Sequence, residues 1–582
     1  MRVSTEHHFA THDGARLFYR HWPAEVDPAR GAVVLLHRGH EHSGRMAHLA
    51  DELRLPAFDV FAWDARGHGR SEVGADETSL AAMVRDLDCF VEHVRHVHGI
   101  EAGRLAVVAQ SVGAVLAAAW VHDYAPKLRC LVLASPAFRV RFYVPFARAG
   151  LGLVQRLFGD FRLNSYVKPR QLTHDEARIA SYAEDPLIRR PIWVRLLLAL
   201  YETGSRIVAD AAAITVPTQL LISGDDWVVA RKPQDDFFEG LGAEVKERHV
   251  FDGFRHDTLG EANRAVALEK LRAFVTARFD SPPAQREWGD ADLRGPTVEE
   301  AAALARPLAS ISAAGLYWGT MRLLLRLAGR VSGGIRLGHD SGFDSGASLD
   351  YVYANRPTGL TAIGRGIDKA YLQAIGWRGI RQRKAHLEEL LGRASERLVQ
   401  EGRPLRVLDV AAGHGRYVLD ALPGDARRPE SILLRDLCSS NVAAGNKLVA
   451  ERGCRDIARF EQGDAFDGEA LATLTPKPTL AIVSGLYELF PENAPVRRSL
   501  DGLARALPAG GYLVYTGQPW HPQLEFIART LSSHRNGAPW IMRRRTQAEL
   551  DQLVERAGFA KVEQRIDAWG IFTVSLARRV ER

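Results

Sequence analysis

Short continuous apolar runs bounded by polar or glycine-rich turns recur along the first half of the chain. Examples are Ala32 to Leu36, Leu105 to Ala109, Cys130 to Ala134 and Gln219 to Ile222. Runs of this length predict buried strands. Between them lie stretches with apolar positions at helical spacing, such as Ser79 to Gly99, where the glycine is placed to stop the helix. The opening THDGARLFYRHW reads as a hairpin about Asp13-Gly14. Strands alternating with helices predict a mostly parallel sheet covered on both faces. At its centre stands VVAQSVGAVLAAA, Val107 to Ala119: a buried strand, a sharp turn at Ser111 and a small-residue helix.

The same alternation restarts at PLRVLDVAAGHGRYVLDAL, with strands expected at Leu405 to Asp409, SILLRDL, FEQGDAFD, TLAIVSGLYELF and GGYLVYTG. An antiparallel hairpin from AGFAKVEQRIDAWGIFTVSLARR closes the series. Between the two patterns the chain changes character. SPPAQREWGDADLRGPTVEE is Pro-rich and charged, which reads as a linker. It is followed by an alanine-rich helix and by GLYWGTMRLLLRLAGRV, in which Arg322, Arg326 and Arg330 share one face opposite leucines and Trp318. GGIRLGHDSGFDSGAS then reads as a glycine-rich loop before helices that run to Val399.

A chain of 582 residues is long enough for two or three domains. The net charge of +6 is a modest excess and does not argue for nucleic acid. Cys89, Cys130, Cys438 and Cys454 are far apart, which suggests neither disulfides nor a structural zinc site, and His37, His40 and His42 are read as part of a loop motif, with no metal expected. No apolar run is long enough to span a bilayer. The expected location is the cytoplasm, with peripheral contact to the inner face of the membrane through two basic, apolar segments. One is the linker helix. The other is the insertion Arg139 to Arg206, which carries twelve Lys/Arg against six Asp/Glu among many aromatic and aliphatic residues.

The turn at Ser111 has the form AxSxG, with Ala109 and Gly113 small enough for strand and helix to approach while the hydroxyl is pushed outward. A nucleophilic serine needs a base, and the base needs an orienting carboxylate. In this topology both follow the serine at later strand ends. LLISGDDWVV supplies Asp225 and Asp226, and VFDGFRHDTLGE supplies His256. Asp226 is preferred because it directly precedes the apolar segment that re-enters the fold, with Asp225 the alternative. Backbone donors for a developing oxyanion are expected from Val112 and Arg38.

These motifs resemble an alpha/beta-hydrolase of the monoacylglycerol lipase and lysophospholipase kind. His37 with Gly39 and EHSGR, the DARGHGRS turn, the AxSxG turn, SGDDWVV and HDTLGE carry the resemblance, and LTHDEARIASYAEDPLI resembles that family's cap. It implies a serine ester hydrolase acting on a monoacylglycerol or lysophospholipid without a cofactor. Arg38 stands where the family has glycine, so its side chain is expected to crowd or charge the pocket.

In the second half, Asp409 closes a strand that runs into Ala411, Gly413, Gly415 and a helix, and Val418 replaces the third glycine of a dinucleotide fingerprint. A carboxylate there can hold an ammonium but would repel a pyrophosphate, which favours S-adenosyl-L-methionine over a nicotinamide cofactor. Asp436 lies about twenty residues on, the distance at which an acid meets ribose hydroxyls. Asp464 and Phe466 are candidates for contacting adenine, and Ser484 lies on the same rim. Tyr487, Glu488 and His521 are candidates for a methyl-acceptor site. The pattern resembles a class I S-adenosylmethionine-dependent methyltransferase. The expected organisation is α/β throughout: a hydrolase domain at 1–280 with a helical cap at about 136–212, a linker with an amphipathic helix at 281–345, and a Rossmann-like methyltransferase domain at 346–582. The alternatives are a natural-product thioesterase fused to a methyltransferase, or a hydrolase with a non-catalytic S-adenosylmethionine-binding regulatory module.

Overall fold

The computed structural model describes residues 2–581 apart from 72, 74–77, 145, 285, 423–427 and 536. The chain divides into two compact units, Met1–Arg286 and Glu287–Arg582.

The first unit is built on β1 (Thr5–Ala10), β2 (Arg16–Trp22), β3 (Gly31–Leu36), β4 (Phe58–Trp63), β5 (Leu105–Gln110), β6 (Cys130–Ala134), β9 (Thr218–Ser223) and β10 (Lys246–Phe251). A short antiparallel pair, β7 (Arg162–Asn164) with β8 (Pro191–Trp193), lies in the insertion between β6 and β9. The sheet order is β1-β2-β4-β3-β5-β6-β9-β10. The strands from β4 to β10 in that order are parallel, and β2 runs antiparallel to both neighbours. The continuous apolar runs are explained by burial on both faces: every residue of β3, β5, β6 and β9 is buried. The helix Leu80–His98 begins at Ser79, whose side chain accepts from the Ala82 N–H, and ends at Gly99 with φ +67°.

The second unit carries β11 (Arg406–Asp409), β12 (Ser431–Asp436), β13 (Ala458–Gln462), β14 (Leu480–Val483), β15 (Tyr512–Gly517), β16 (Phe559–Ile566) and β17 (Thr573–Arg579). Their order is β13-β12-β11-β14-β15-β17-β16. The first five in that order are parallel, while β17 and β16 form the closing antiparallel hairpin.

Two expectations are corrected. Most of 281–345 is not a linker: from Glu287 the chain is part of the second unit, and Leu304, Ile335 and Phe343 are buried in one of its cores. The glycine-rich stretch 333–348, expected as a loop, is mostly helical: it lies in the helices Gly333–Ser341 and Gly346–Ala354, capped by the Ser332 and Ser345 side chains, with a short turn between them. Its glycines answer to packing. A Cβ on Gly338 would stand 2.4 Å from the Phe343 ring, and one on Gly334 2.6 Å from the Tyr351 ring.

Candidate active site

The strand β5 and the helix Val112–Tyr124 meet at Ser111, which is held at φ +56°, ψ −116°. A non-glycine residue persists in such a conformation only where its surroundings over-determine it. Here the Ser111 N–H donates to the Ala134 carbonyl at 3.0 Å, and Gly113 permits the approach of the next loop. A Cβ at Gly113 would lie 2.5 Å from the His37 carbonyl oxygen.

The loops after β9 and β10 bring the expected partners to this turn. His256 Nε2 lies 2.8 Å from Ser111 Oγ, and His256 Nδ1 lies 2.8 Å from Asp226 Oδ2. Asp226 Oδ1 accepts from the Val228 and Val229 N–H groups at 2.8 and 3.0 Å. Burial alone would raise the Asp226 pKa, but His256 and these two donors outweigh it and hold the carboxyl below its ordinary value. Asp225 is exposed, so Asp226 is the carboxylate the geometry selects.

Arg38 departs from the sequence expectation. It lines the pocket, but its guanidinium is paired: it is buried against Glu41 (Nη2 to Oε1 2.5 Å, Nε to Oε2 3.0 Å) and lies 3.3 Å from Asp257 Oδ2. Burial opposes the charge, yet Asp257 and Glu41 outweigh it and raise the arginine's pKa. Asp257 also accepts from Arg178 of the insertion, at 2.9 Å from Nη2. One buried network therefore joins the loop carrying the Arg38 backbone N–H, the residue after His256, and the cap. The neighbouring histidines are all engaged. His37 Nε2 accepts from the Ala65 N–H at 3.0 Å, so its Nδ1–H donates to the Arg38 carbonyl at 2.6 Å. His40 bonds the Arg189 carbonyl, and His42 bonds Asp185 at 2.9 Å.

Above Ser111 and His256 opens a cavity of about 1290 Å³ lined largely by the insertion, including Phe142, Leu151, Trp193 and Leu197. Its size and apolar walls suit a long acyl chain. The insertion's helix Ala147–Phe158 has no buried residue, and Phe146, Leu153, Leu157 and Phe158 stand at 88, 58, 65 and 82% exposure.

In the second unit the sheet order reverses between β11 and β14, the place where open α/β sheets bind ligands beyond the carboxyl ends of their strands. Asp464 (after β13), Asp436 (β12), Ala411 to Gly415 (after β11) and Ser484 (after β14) lie along that edge in that order. Gly413 and Gly415 have φ +57° and +73°. Asp436 is half-buried and accepts from the Gly413 N–H at 2.9 Å, and Asp464 accepts from the Phe466 N–H at 2.9 Å. Phe466 packs edge-on to Phe490 with ring centres 4.5 Å apart. A Cβ at Gly413 would meet only the Gly346 Cα, at 3.8 Å, so the glycine turn leaves a cradle above its backbone. The crevice leaves room for a ligand over the glycine turn, beside the half-buried Asp436.

Two candidates are reassigned. Asp409 is fully buried and is not placed to hold an ammonium; it accepts from Tyr417 Oη at 2.5 Å and braces the loop through the Ala411 N–H. Burial pushes its pKa up to about 7. Tyr487 lies in the core beneath the rim, its hydroxyl 3.0 Å from Ser499 Oγ, so it is packing and not an acceptor base. Glu488 and His521 do converge, on a second cavity of about 430 Å³ together with Arg383, Gln518 and Trp540, three residues that no spacing in the sequence singled out. The segment bearing Glu488 is held by Arg545, which donates to the carbonyls of Tyr487, Phe490, Pro491 and Glu492 at 2.6, 2.7, 3.2 and 2.9 Å.

Comparison with known proteins follows this division. Residues 271–579 match the family described as "Putative methyltransferase", and residues 27–263 match "Serine aminopeptidase, S33". An Escherichia coli K12 protein, "Uncharacterized protein YnbC", is 55% identical over 579 residues, covering 99% of both chains. A monoacylglycerol lipase of Mycolicibacterium smegmatis is 28% identical over 47% of this chain and 98% of its own length. Human monoglyceride lipase is 28% identical over 47% of this chain and 93% of its own. The chain belongs to the methyltransferase family so described and carries, ahead of that domain, an alpha/beta-hydrolase domain of the serine aminopeptidase S33 type related to monoglyceride lipases.

Proposed function

We propose that the first unit is a serine ester hydrolase for a monoacylglycerol or lysophospholipid, and the second an S-adenosylmethionine-dependent methyltransferase. The observation that carries the first part is the chain of two 2.8 Å contacts from Ser111 through His256 to Asp226 beneath an apolar cavity. Ser111 Oγ attacks the ester carbonyl as His256 Nε2 takes its proton, and Asp226 keeps the imidazole in the tautomer with hydrogen on Nδ1. The backbone N–H groups of Arg38 and Val112 receive the oxyanion. His256 then protonates the departing alkoxide and activates the water that cleaves the acyl-enzyme. The relatives named as monoglyceride lipases support this substrate class. The exposed apolar residues of Ala147–Phe158, flanked by Arg148 and Arg156, support contact with an anionic lipid surface from which substrate enters.

In the second unit, Ala411 and Gly413 would approach the cofactor by backbone, Asp436 would meet ribose hydroxyls, and Asp464, Phe466 and Ser484 would border the adenosyl group. Bound there, S-adenosylmethionine supplies a methyl group already activated by its sulfonium. The deciding experiment pairs the two units. Ser111→Ala, with unchanged thermal unfolding, is expected to abolish ester cleavage while S-adenosylmethionine binding by calorimetry persists. Unchanged cleavage rejects the first half of the proposal, and absence of binding in wild-type protein rejects the second.

A further inference from the structure

The second cavity is mostly apolar, walled by Leu325, Ile335, Trp377, Ile380 and Phe572 among others, yet four of its lining residues bury a polar atom without a hydrogen-bond partner. These atoms are Glu488 Oε2, Arg383 Nε, Gln518 Nε2 and Trp540 Nε1, and their residues are 7, 3, 3 and 9% exposed. A buried polar group left unpaired costs about 1–3 kcal/mol, so four around one cavity mark positions that a ligand completes. Three are donors and one is an acceptor. His521 also lines the wall, as do Asp344, Tyr371 and Gln523. The His521 Nδ1 accepts from the Gln523 N–H at 3.0 Å, so the ring is neutral with its hydrogen on Nε2.

The cavity also has a place in the fold. Gly485 lines it and lies just beyond β14, next to Ser484 on the strand-end rim where the cofactor is proposed to lie. Glu488 is one turn farther on, held by Arg545 through the carbonyls on either side of it.

We propose that this cavity binds the methyl acceptor of the second unit, an apolar molecule of the alcohol or phenol class. Its hydroxyl donates to Glu488 Oε2, and its oxygen atoms accept from Arg383, Gln518 and Trp540. The three donors call for an oxygen-bearing head, and the lone acceptor calls for one hydrogen to give. A volume of about 430 Å³ fixes the scale as a small molecule, and the apolar walls exclude a sugar or a nucleotide. Transfer then occurs to oxygen. The O–H bond is replaced by O–CH3, the electron pair of the broken carbon–sulfur bond stays on the donor's sulfur, and the proton passes to Glu488. This inference rests on the methyltransferase reading for its chemistry but not for its binding site.

The test uses the full chain and 1-naphthol, naphthalene and 1-naphthoate as probes, read by calorimetry without cofactor. Glu488→Gln keeps the side chain's size but replaces a charged acceptor, and is expected to weaken 1-naphthol binding about tenfold or more while leaving naphthalene unaffected. Trp540→Phe, which removes one donor, is expected to weaken 1-naphthol by a smaller factor. Equal 1-naphthol affinity in wild type and Glu488→Gln overturns the proposal, as does tighter binding of 1-naphthoate than of 1-naphthol. If Glu488→Gln fails to fold, the Trp540→Phe result decides alone. Failure of S-adenosylmethionine to bind in a parallel titration would count against the methyltransferase reading and not against the cavity.

Discussion

Replacing Asp226 with asparagine separates an orienting carboxylate from a merely structural one. Asp226 Oδ1 accepts two backbone N–H groups, from Val228 and Val229, at 2.8 and 3.0 Å. An asparagine turned so that its NH2 faced those donors would lose two buried hydrogen bonds, about 2–3 kcal/mol together. The amide oxygen therefore stays on the backbone and the NH2 faces His256 Nδ1. That nitrogen must then accept, which places the ring hydrogen on Nε2 against Ser111 Oγ, where a base is needed. The wrong tautomer costs about 10⁴ in kcat, equivalent to roughly 5.5 kcal/mol of barrier. Hydrolysis of a 4-nitrophenyl ester followed at neutral pH measures it, with KM expected to change little. Asp225→Asn, at an exposed position without this contact, is the control and should retain wild-type kcat. A loss of less than tenfold in Asp226→Asn, or an equal loss in Asp225→Asn, refutes the assignment.

Other outcomes follow from the same geometry. Arg38→Met leaves Glu41 and Asp257 buried without their shared guanidinium, but Arg178 remains 2.9 Å from Asp257, so urea unfolding should show a loss near about 3 kcal/mol, the low end for a broken buried pair. Gly113→Ala forces a Cβ to within 2.5 Å of the His37 carbonyl oxygen and should cost about 1–3 kcal/mol while lowering esterase kcat by displacing the loop that bears the Arg38 N–H. Arg38 and Arg178 overcome burial to hold Asp257 below its ordinary value of 3.8, so its contribution to stability is full above that pH and is lost as pH falls through the lower folded value. Urea midpoints taken between pH 5 and pH 3 should therefore drop in wild type and drop less in Arg38→Met.

The parallel sheets and the Ser111, Asp226, His256 order were legible because both rest on local signals: apolar runs four to six residues long, a serine between small residues, and acid and histidine just past strand ends. Ser79 and Gly99 bounded their helix for the same reason. What escaped the sequence depends on distant partners. Arg38 is paired with Asp257, more than two hundred residues later, and no spacing announces that pairing. Asp409 reads as a ligand until Tyr417 is seen to occupy it. The glycines of 333–346 look like loop composition because sequence does not show the side chains they make room for, the rings of Phe343 and Tyr351 among them. Arg383, Gln518 and Trp540 become candidates only when an enclosed space brings three unrelated segments together.

Arg545 has a consequence for substitution across related chains. Burial lowers its pKa to about 10, and its fork supplies hydrogen bonds to four main-chain carbonyls and to Asn493 Oδ1. A lysine carries the same charge on a single nitrogen with three hydrogens, too few to serve five acceptors spread over that arc. The position is thus closed to the commonest conservative exchange. A relative that carries lysine here must have rebuilt the whole Tyr487–Asn493 segment around it, so this one codon reports whether a homologue shares the second unit's pocket geometry.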